Sequence, residues 1–180
     1  MGNLFKFLKS KIYENKHKSN KIKGILNFYR FGGKIKAAFD SGECIGVLIY
    51  GDYYLFPKLK NFNVYPPDVN STFISCIYVK QKYRNKSVGT SLLLSLEKDL
   101  IKKKNRSMEI IGQKSEGNYY EGIDGLTPAK FLIKKGFYIK KNDHYFPLLR
   151  LDLKNIIKGF DLEEFLSKNI VLRKEARSIW

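Results

Sequence analysis

Between two apolar runs of different period lies the segment Arg84-Asn85-Lys86-Ser87-Val88-Gly89-Thr90, and its residue types suit the capture of a phosphate, an ordinary capped helix start being the other reading of the local pattern. The run before it, T-F-I-S-C-I-Y-V at 72–79, is uncharged and rich in β-forming residues. The run after it repeats Val88, Leu92, Leu96 and Leu100 every four residues, with Leu93 and Ile101 widening the stripe, which predicts an amphipathic helix. A turn that leaves a strand and opens a helix aims several backbone N–H groups and the positive end of the helix at one point. Gly89 allows close approach of the chain to a ligand, Ser87 stands where it can cap the helix, and Arg84 and Lys86 add charge. A pyrophosphate is the natural guest. Other reactive residue types are sparse. Two cysteines, Cys44 and Cys76, exclude a disulfide scaffold and a four-cysteine zinc site, and with His17 and His144 far apart in sequence no metal centre is expected.

The elements that must position this turn can be read outward from it. Lys34–Asp40 and Cys44–Tyr50 form a predicted hairpin about Ser41-Gly42. The long aromatic stretch 52–70, with Pro57, Pro66 and Pro67, is expected to be a loop of functional use or poor order. Beyond the central helix, which ends in Lys102, Lys103 and Lys104 as its dipole favours, Ser107–Gly112 reads as a short strand and 113–126 as a glycine-bearing loop. Thr127 as cap and Pro128 in the first turn predict a helix that stops at Gly136. Phe137–Lys140 and Tyr145–Leu153 are predicted strands, and Asp161 is placed to cap a last helix through Ser167. Strands alternating with helices argue for an α/β or layered α+β domain. We divide the chain into a basic helical segment at 1–33, a core at 34–153 and a helical tail at 154–180.

The 180 residues carry a net charge of +17 and are 43% hydrophobic, enough for a buried core in one domain. Ten Lys or Arg against one Glu fall in the first 36 residues, where Leu4, Phe5, Phe7, Leu8 and Ile12, then Ile22, Ile25, Leu26 and Tyr29, recur at helical spacing. The charge is a matter of 28 Lys against 6 Arg, alongside 18 Ile and 4 Ala, a skew that fits codon composition better than selection for phosphate or base readers. Nucleic acid is therefore not the expected partner. No apolar run approaches the roughly 18 residues of a membrane span, and the first residues fit neither a secretory signal nor a myristoylation pattern. The expected setting is reducing and cytoplasmic.

Two motifs taken together resemble the GNAT superfamily of acyl-CoA N-acyltransferases. Its first motif is Gln or Arg, two residues, Gly, one residue, then Gly or Ala; here it reads Arg84-x-x-Ser87-x-Gly89, preceded by Ile77-Tyr78-Val79 and followed by Leu92-Leu93. Ser87 stands where the family has its first glycine. Downstream, Pro128-Ala129-x-Phe131-Leu132-x-x-x-Gly136-Phe137 looks like its second motif, a helix ending at Gly-Phe. The resemblance spans Lys34–Leu153, and an N-terminal strand usual in the family is not evident.

What the resemblance implies is a mixed, twisted, V-shaped sheet flanked by helices, with the two central strands splayed. Acetyl-CoA is the implied co-substrate, and no metal is called for. Its pantetheine would pair with the backbone at Ile77, Tyr78 and Val79, its pyrophosphate would sit on Arg84, Asn85, Lys86, Ser87, Val88, Gly89 and Thr90, and Ala129 would line the same site. A primary amine of a small molecule or peptide would attack the thioester directly, in a ternary complex. Two proton transfers need owners. Glu109, in the strand that would be the splayed partner, is the expected base, its pKa raised by partial desolvation, with Glu116 and Glu121 as alternatives. The family's usual acid, a Tyr four residues before the second motif's glycine, is replaced by Leu132, so Tyr120 is the substitute we name, ahead of Tyr119 and Tyr145. An acyl-cysteine route through Cys76 lacks a neighbouring base. The absent Tyr also keeps open a module of the same fold that binds CoA or a partner through its basic surface without turnover, and a homodimer is an allowed assembly.

Overall fold

The computed structural model describes residues 27–114 and 126–153. The N-terminal basic segment up to residue 26, the loop at 115–125, which holds Glu116, Tyr119, Tyr120 and Glu121, and the tail from 154 lie outside the described residues. Within them the chain forms β1 (Lys34–Asp40), β2 (Glu43–Gly51), β3 (Thr72–Val79), α1 (Val88–Lys102), β4 (Ser107–Gln113), β5 (Thr127–Pro128), α2 (Ala129–Ile133), β6 (Tyr138–Lys141) and β7 (Leu148–Asp152). The seven strands make one mixed sheet in the order β1-β2-β3-β4-β7-β6, with β5 added beside β4. Pairing is antiparallel except for β3 with β4 and β4 with β5. This is the layered α+β architecture expected from the alternation of strands and helices.

Local chemistry accounts for the boundaries. Ser41 and Gly42 both take positive φ, 45° and 80°, the two-residue turn whose twist matches a hairpin. Gly136, at φ 88°, closes α2 in the left-handed conformation, and the Phe137 N–H reaches back to the Leu132 carbonyl. One expectation is corrected here. Thr127 and Pro128 do not start a helix; they extend the sheet as β5, and α2 begins at Ala129 with no side-chain cap. The pull of the open edge of β4 outweighs a capping preference worth about 1 kcal/mol.

The sheet has two differently covered faces. On one, α1 and α2 bury Leu92, Leu93, Leu96, Leu100 and Leu132 against Leu48, Ile74, Met108, Ile110, Leu149 and Leu151. On the other, the stretch between β2 and β3 folds into two 3₁₀ turns, Tyr53–Leu55 and Pro57–Asn61. It packs Leu59 and Val64, with Phe56, Phe62 and Tyr65 around them, on Phe73, Ile111 and Leu148. The long aromatic loop is thus an ordered covering layer. Its aromatic residues supply the apolar area that a helix would otherwise bring to this face.

Candidate functional site

The parting of two central strands builds the site. β3 and β4 run parallel and pair only at Thr72–Met108, Phe73–Glu109 and Ile74–Ile110. Just beyond, Ile49 of β2 faces Cys76 while Tyr50 faces Ile74, so Ser75 is an extra residue in β3. Such a bulge bends its strand and raises the local twist. From Ser75 to Val79 the strand stays paired to β2 and leaves β4. The sheet therefore opens into a V, with its closed end at Ile74 and Ile110.

The turn expected to capture a phosphate stands at the mouth of this V. Val79 ends β3, a short 3₁₀ turn covers Gln81–Tyr83, and α1 begins at Val88. Asn85 and Ser87 both adopt left-handed backbone, at φ 60° and 59°. Ser87 occupies the N-cap position, but its hydroxyl makes no capping bond, which corrects the expectation that it caps the helix. The first intrahelical bond is from the Ser91 N–H to the Ser87 carbonyl, so the N–H groups of Val88, Gly89 and Thr90 lack an intrahelical acceptor. Around them the cations are arranged unequally. Arg84 Nε donates to the Val79 carbonyl at 3.2 Å, closing the turn. Lys82 and Lys86 both lie over the Tyr83 ring, at 4.9 and 5.8 Å. Glu43 takes Lys80 and Lys82 at 2.6 and 3.1 Å, and hydrogen bonds to these two ammoniums push its carboxyl down to about 2.

Gly89 reports on what the gap can hold. A Cβ placed there would point at Val79 Cγ2, Ile77 Cγ2 and the tip of the Phe131 ring, all between 3.7 and 3.9 Å away. Helix α1 itself would accept an alanine at this position. With glycine, the first turn of α1 carries no side chain toward β3 and α2. Phe131, on α2, faces Gly89 from the other side, while Ala129 is buried in the core beside Gly112; the sequence names Phe131 only by its place in a motif. The residues present fit a pyrophosphate at the helix end and an extended polar chain in the V.

The expected catalytic residues fare differently. Glu109 lies on the face covered by the aromatic loop and is 0% exposed. Lys140 Nζ and Arg150 Nη1 donate to its Oε1 at 2.6 and 2.9 Å, and the Asp68 N–H donates to its Oε2 at 2.9 Å. Arg150 also bonds Asp68 and Asp152. Both of its oxygens are thus engaged within the protein, so this geometry makes Glu109 a buried counter-ion to Lys140 and Arg150 and supplies no observation for the expected role as base. Leu132, at the place of the family's usual acid, is wholly inside the core. Burial raises the Cys76 thiol above its ordinary pKa, which works against a thiolate route. Tyr120 lies outside the described residues.

The sequence pattern of the acetyltransferase (GNAT) family matches residues 6–120. The chain belongs to the GNAT acetyltransferase family. The matched region takes in most of the basic N-terminal segment and ends before the Pro128–Phe137 motif. Solved structures of similar fold include the PaiA N-acetyltransferase of Thermoplasma acidophilum in complex with coenzyme A, at 18% identity, with 82% of this chain and 78% of that one covered and a TM-score of 0.52. An N-acetyltransferase from Staphylococcus aureus matches at 18% identity over 78% and 80%, with a TM-score of 0.53. An aminoglycoside 6'-N-acetyltransferase complexed with coenzyme A matches at 15% identity over 81% and 87%, with a TM-score of 0.52. No curated protein matches the chain. This GNAT chain is an acyl-CoA N-acyltransferase, and no helix among the described residues is long and apolar enough to cross a membrane.

Proposed function

We propose that this GNAT protein transfers an acetyl group from acetyl-CoA to a primary amine by direct attack in a ternary complex. The observation that carries the reading is the bare N-terminal turn of α1, with Gly89, at the mouth of the gap between β3 and β4. In this reading the N–H groups of Val88, Gly89 and Thr90, with Arg84, Asn85, Lys86 and Ser87 around them, hold the pyrophosphate. The edge of β3 through Ile77, Tyr78 and Val79 pairs with the pantetheine, and Ala129 and Phe131 wall it in. When bound, the co-substrate supplies an activated thioester carbonyl. The protein's part is to fix that carbonyl at the closed end of the V, to present backbone N–H groups near Ser75 where negative charge develops, and to admit the amine from the side of the aromatic loop. Glu109 serves by holding that loop to the sheet. Protons then pass through the loop that joins β4 to β5, to Glu116 or Glu121 from the amine and from Tyr120 to the leaving thiolate.

The test is calorimetry with CoA, followed by acetyl transfer against a panel of amines. Wild type binds CoA. Gly89→Glu, with folding checked by its melting temperature, loses at least about a hundredfold in CoA affinity, since bulk and negative charge are added at the end of the helix. Unchanged CoA affinity in folded Gly89→Glu would remove the assignment. In the transfer assay Tyr120→Phe and Glu116→Gln or Glu121→Gln each lower turnover if they carry protons.

A further inference from the structure

Thr127 is the outlier of the buried polar groups. It is 5% exposed, and its Oγ1 is a buried side-chain oxygen with no hydrogen-bond partner among the described residues. Native proteins rarely leave such a group unsatisfied, because an unmade buried hydrogen bond costs about 1–3 kcal/mol.

Its place in the sheet says what it faces. β5 lies parallel to β4, with Thr127 opposite Gly112 and Pro128 opposite Gln113. The other edge of β4 is already taken there: the Gly112 N–H donates to the Pro147 carbonyl and the Lys114 N–H to the Tyr145 carbonyl. β5 therefore occupies the edge that β3 has left, inside the V, and it touches β3 as well. The side of the sheet also follows. A Cβ on Gly112 would meet Ala129 and Leu132 of α2, and paired residues put their side chains on one face. Thr127 thus projects on the helix side, the side of Gly89, Phe131, Ile77 and Val79.

We propose that Thr127 is a ligand residue of the gap, its hydroxyl exchanging a hydrogen bond with an amide of the pantetheine arm from the β4 side while β3 serves the other side. This rests on the reading of the gap as the CoA site. The chemistry matches: the arm carries two amides, each with a donor and an acceptor, and a threonine hydroxyl can be either. Bulky apolar neighbours alone would grip such a chain without fixing its register. A polar group buried at one depth fixes it, and with it the position of the thioester.

The experiment compares wild type, Thr127→Val and Thr127→Ser by calorimetry with two probes, CoA and 3',5'-ADP, which has the adenosine, the 3'-phosphate and the first of the two bridging phosphates but no pantetheine. Wild type that binds neither probe overturns the CoA reading itself. Given wild-type binding, the expected result is a roughly tenfold loss of CoA affinity in Thr127→Val, 3',5'-ADP affinity within about twofold of wild type, and near-wild-type CoA affinity in Thr127→Ser. The melting temperature of free Thr127→Val should stay equal or rise, because a methyl replaces a hydroxyl that has no partner among the described residues. Unchanged CoA affinity in Thr127→Val overturns the assignment, as does equal loss for both probes or a clearly lower melting temperature, either of which makes the hydroxyl a structural group of the free protein.

Discussion

Ser87 shows how a single side chain can be wrong for its backbone and still be kept. At φ 59° an L-residue carries a left-handed strain of about 1–2 kcal/mol, and a serine that also forgoes its capping bond recovers none of it. Replacing it with glycine relieves the strain against a larger loss of chain entropy, so Ser87→Gly should raise stability by about 0.5–1 kcal/mol and leave CoA binding intact or improved. Ser87→Val should do the reverse, since a β-branched residue is the poorest fit to this region. Urea denaturation of the two variants checks the order. The sequence showed that a serine stands where the family has glycine. It did not show that the backbone there had kept a glycine-like conformation.

At the scale of an element, α1 combines a legible stripe with a hidden exception. Leu92, Leu96 and Leu100 face the sheet as their spacing of four requires, and Leu93 widens the face. Glu97 falls on that same face, four residues after Leu93, and is 9% exposed. Burial pushes its carboxyl up to about 7, with the charge of Lys135 pulling the other way. Its folded pKa is thus above its unfolded value of about 4.5, so the folded state holds the extra proton between these values. Stability from this group is intact below pH 4.5 and declines as pH rises through 7. Glu97→Gln should flatten that decline and add a few kcal/mol above pH 7, on the order of 3. Denaturation midpoints at pH 5 and pH 8 decide it; equal gains at both would place the effect elsewhere. Asp68, Asp99 and Asp143 carry the opposite sign. Their carboxyls are lowered by hydrogen bonds from Asn70 and Arg150, from Lys36, and from the Phe146 and Tyr145 N–H groups respectively, so their contribution disappears only as pH falls below about 4.

For the molecule as a whole, one buried cluster joins its layers. Glu109 of β4 meets Arg150 of β7, Lys140 of β6 and Asp68 of the aromatic loop, so four segments distant in sequence share one set of charges. Lys140 reaches it because β6 bulges there, Ile139 facing Leu149 and Lys141 facing Leu148. Glu109→Gln removes a carboxylate that is 0% exposed and leaves two cations to be balanced by the partly exposed Asp68 and Asp152. A loss of about 3–5 kcal/mol is expected, read as a lower melting temperature. Turnover per folded molecule should stay within about threefold of wild type, whereas loss of a general base costs about 10²–10⁴. A stable Glu109→Gln protein with turnover down by that order would return the base to Glu109.

The sequence by itself determined what depends on neighbours along the chain: the hairpin at Ser41-Gly42, the strand 72–79, the stripe of α1, the stop at Gly136, and the turn Arg84–Thr90 between strand and helix. Periodicity and turn chemistry are local, so they survive without a fold. Tertiary structure decided what depends on contact across it. The extra Ser75 opens the V because of its register with β2, the vacated edge of β4 recruits Thr127, which local pattern reads as a helix cap, into the sheet, and Glu109, which the family resemblance casts as a base, finds two cations more than 30 residues away. A residue's type fixes what it can bond; only the packed chain fixes which partners are within reach and which water has been removed.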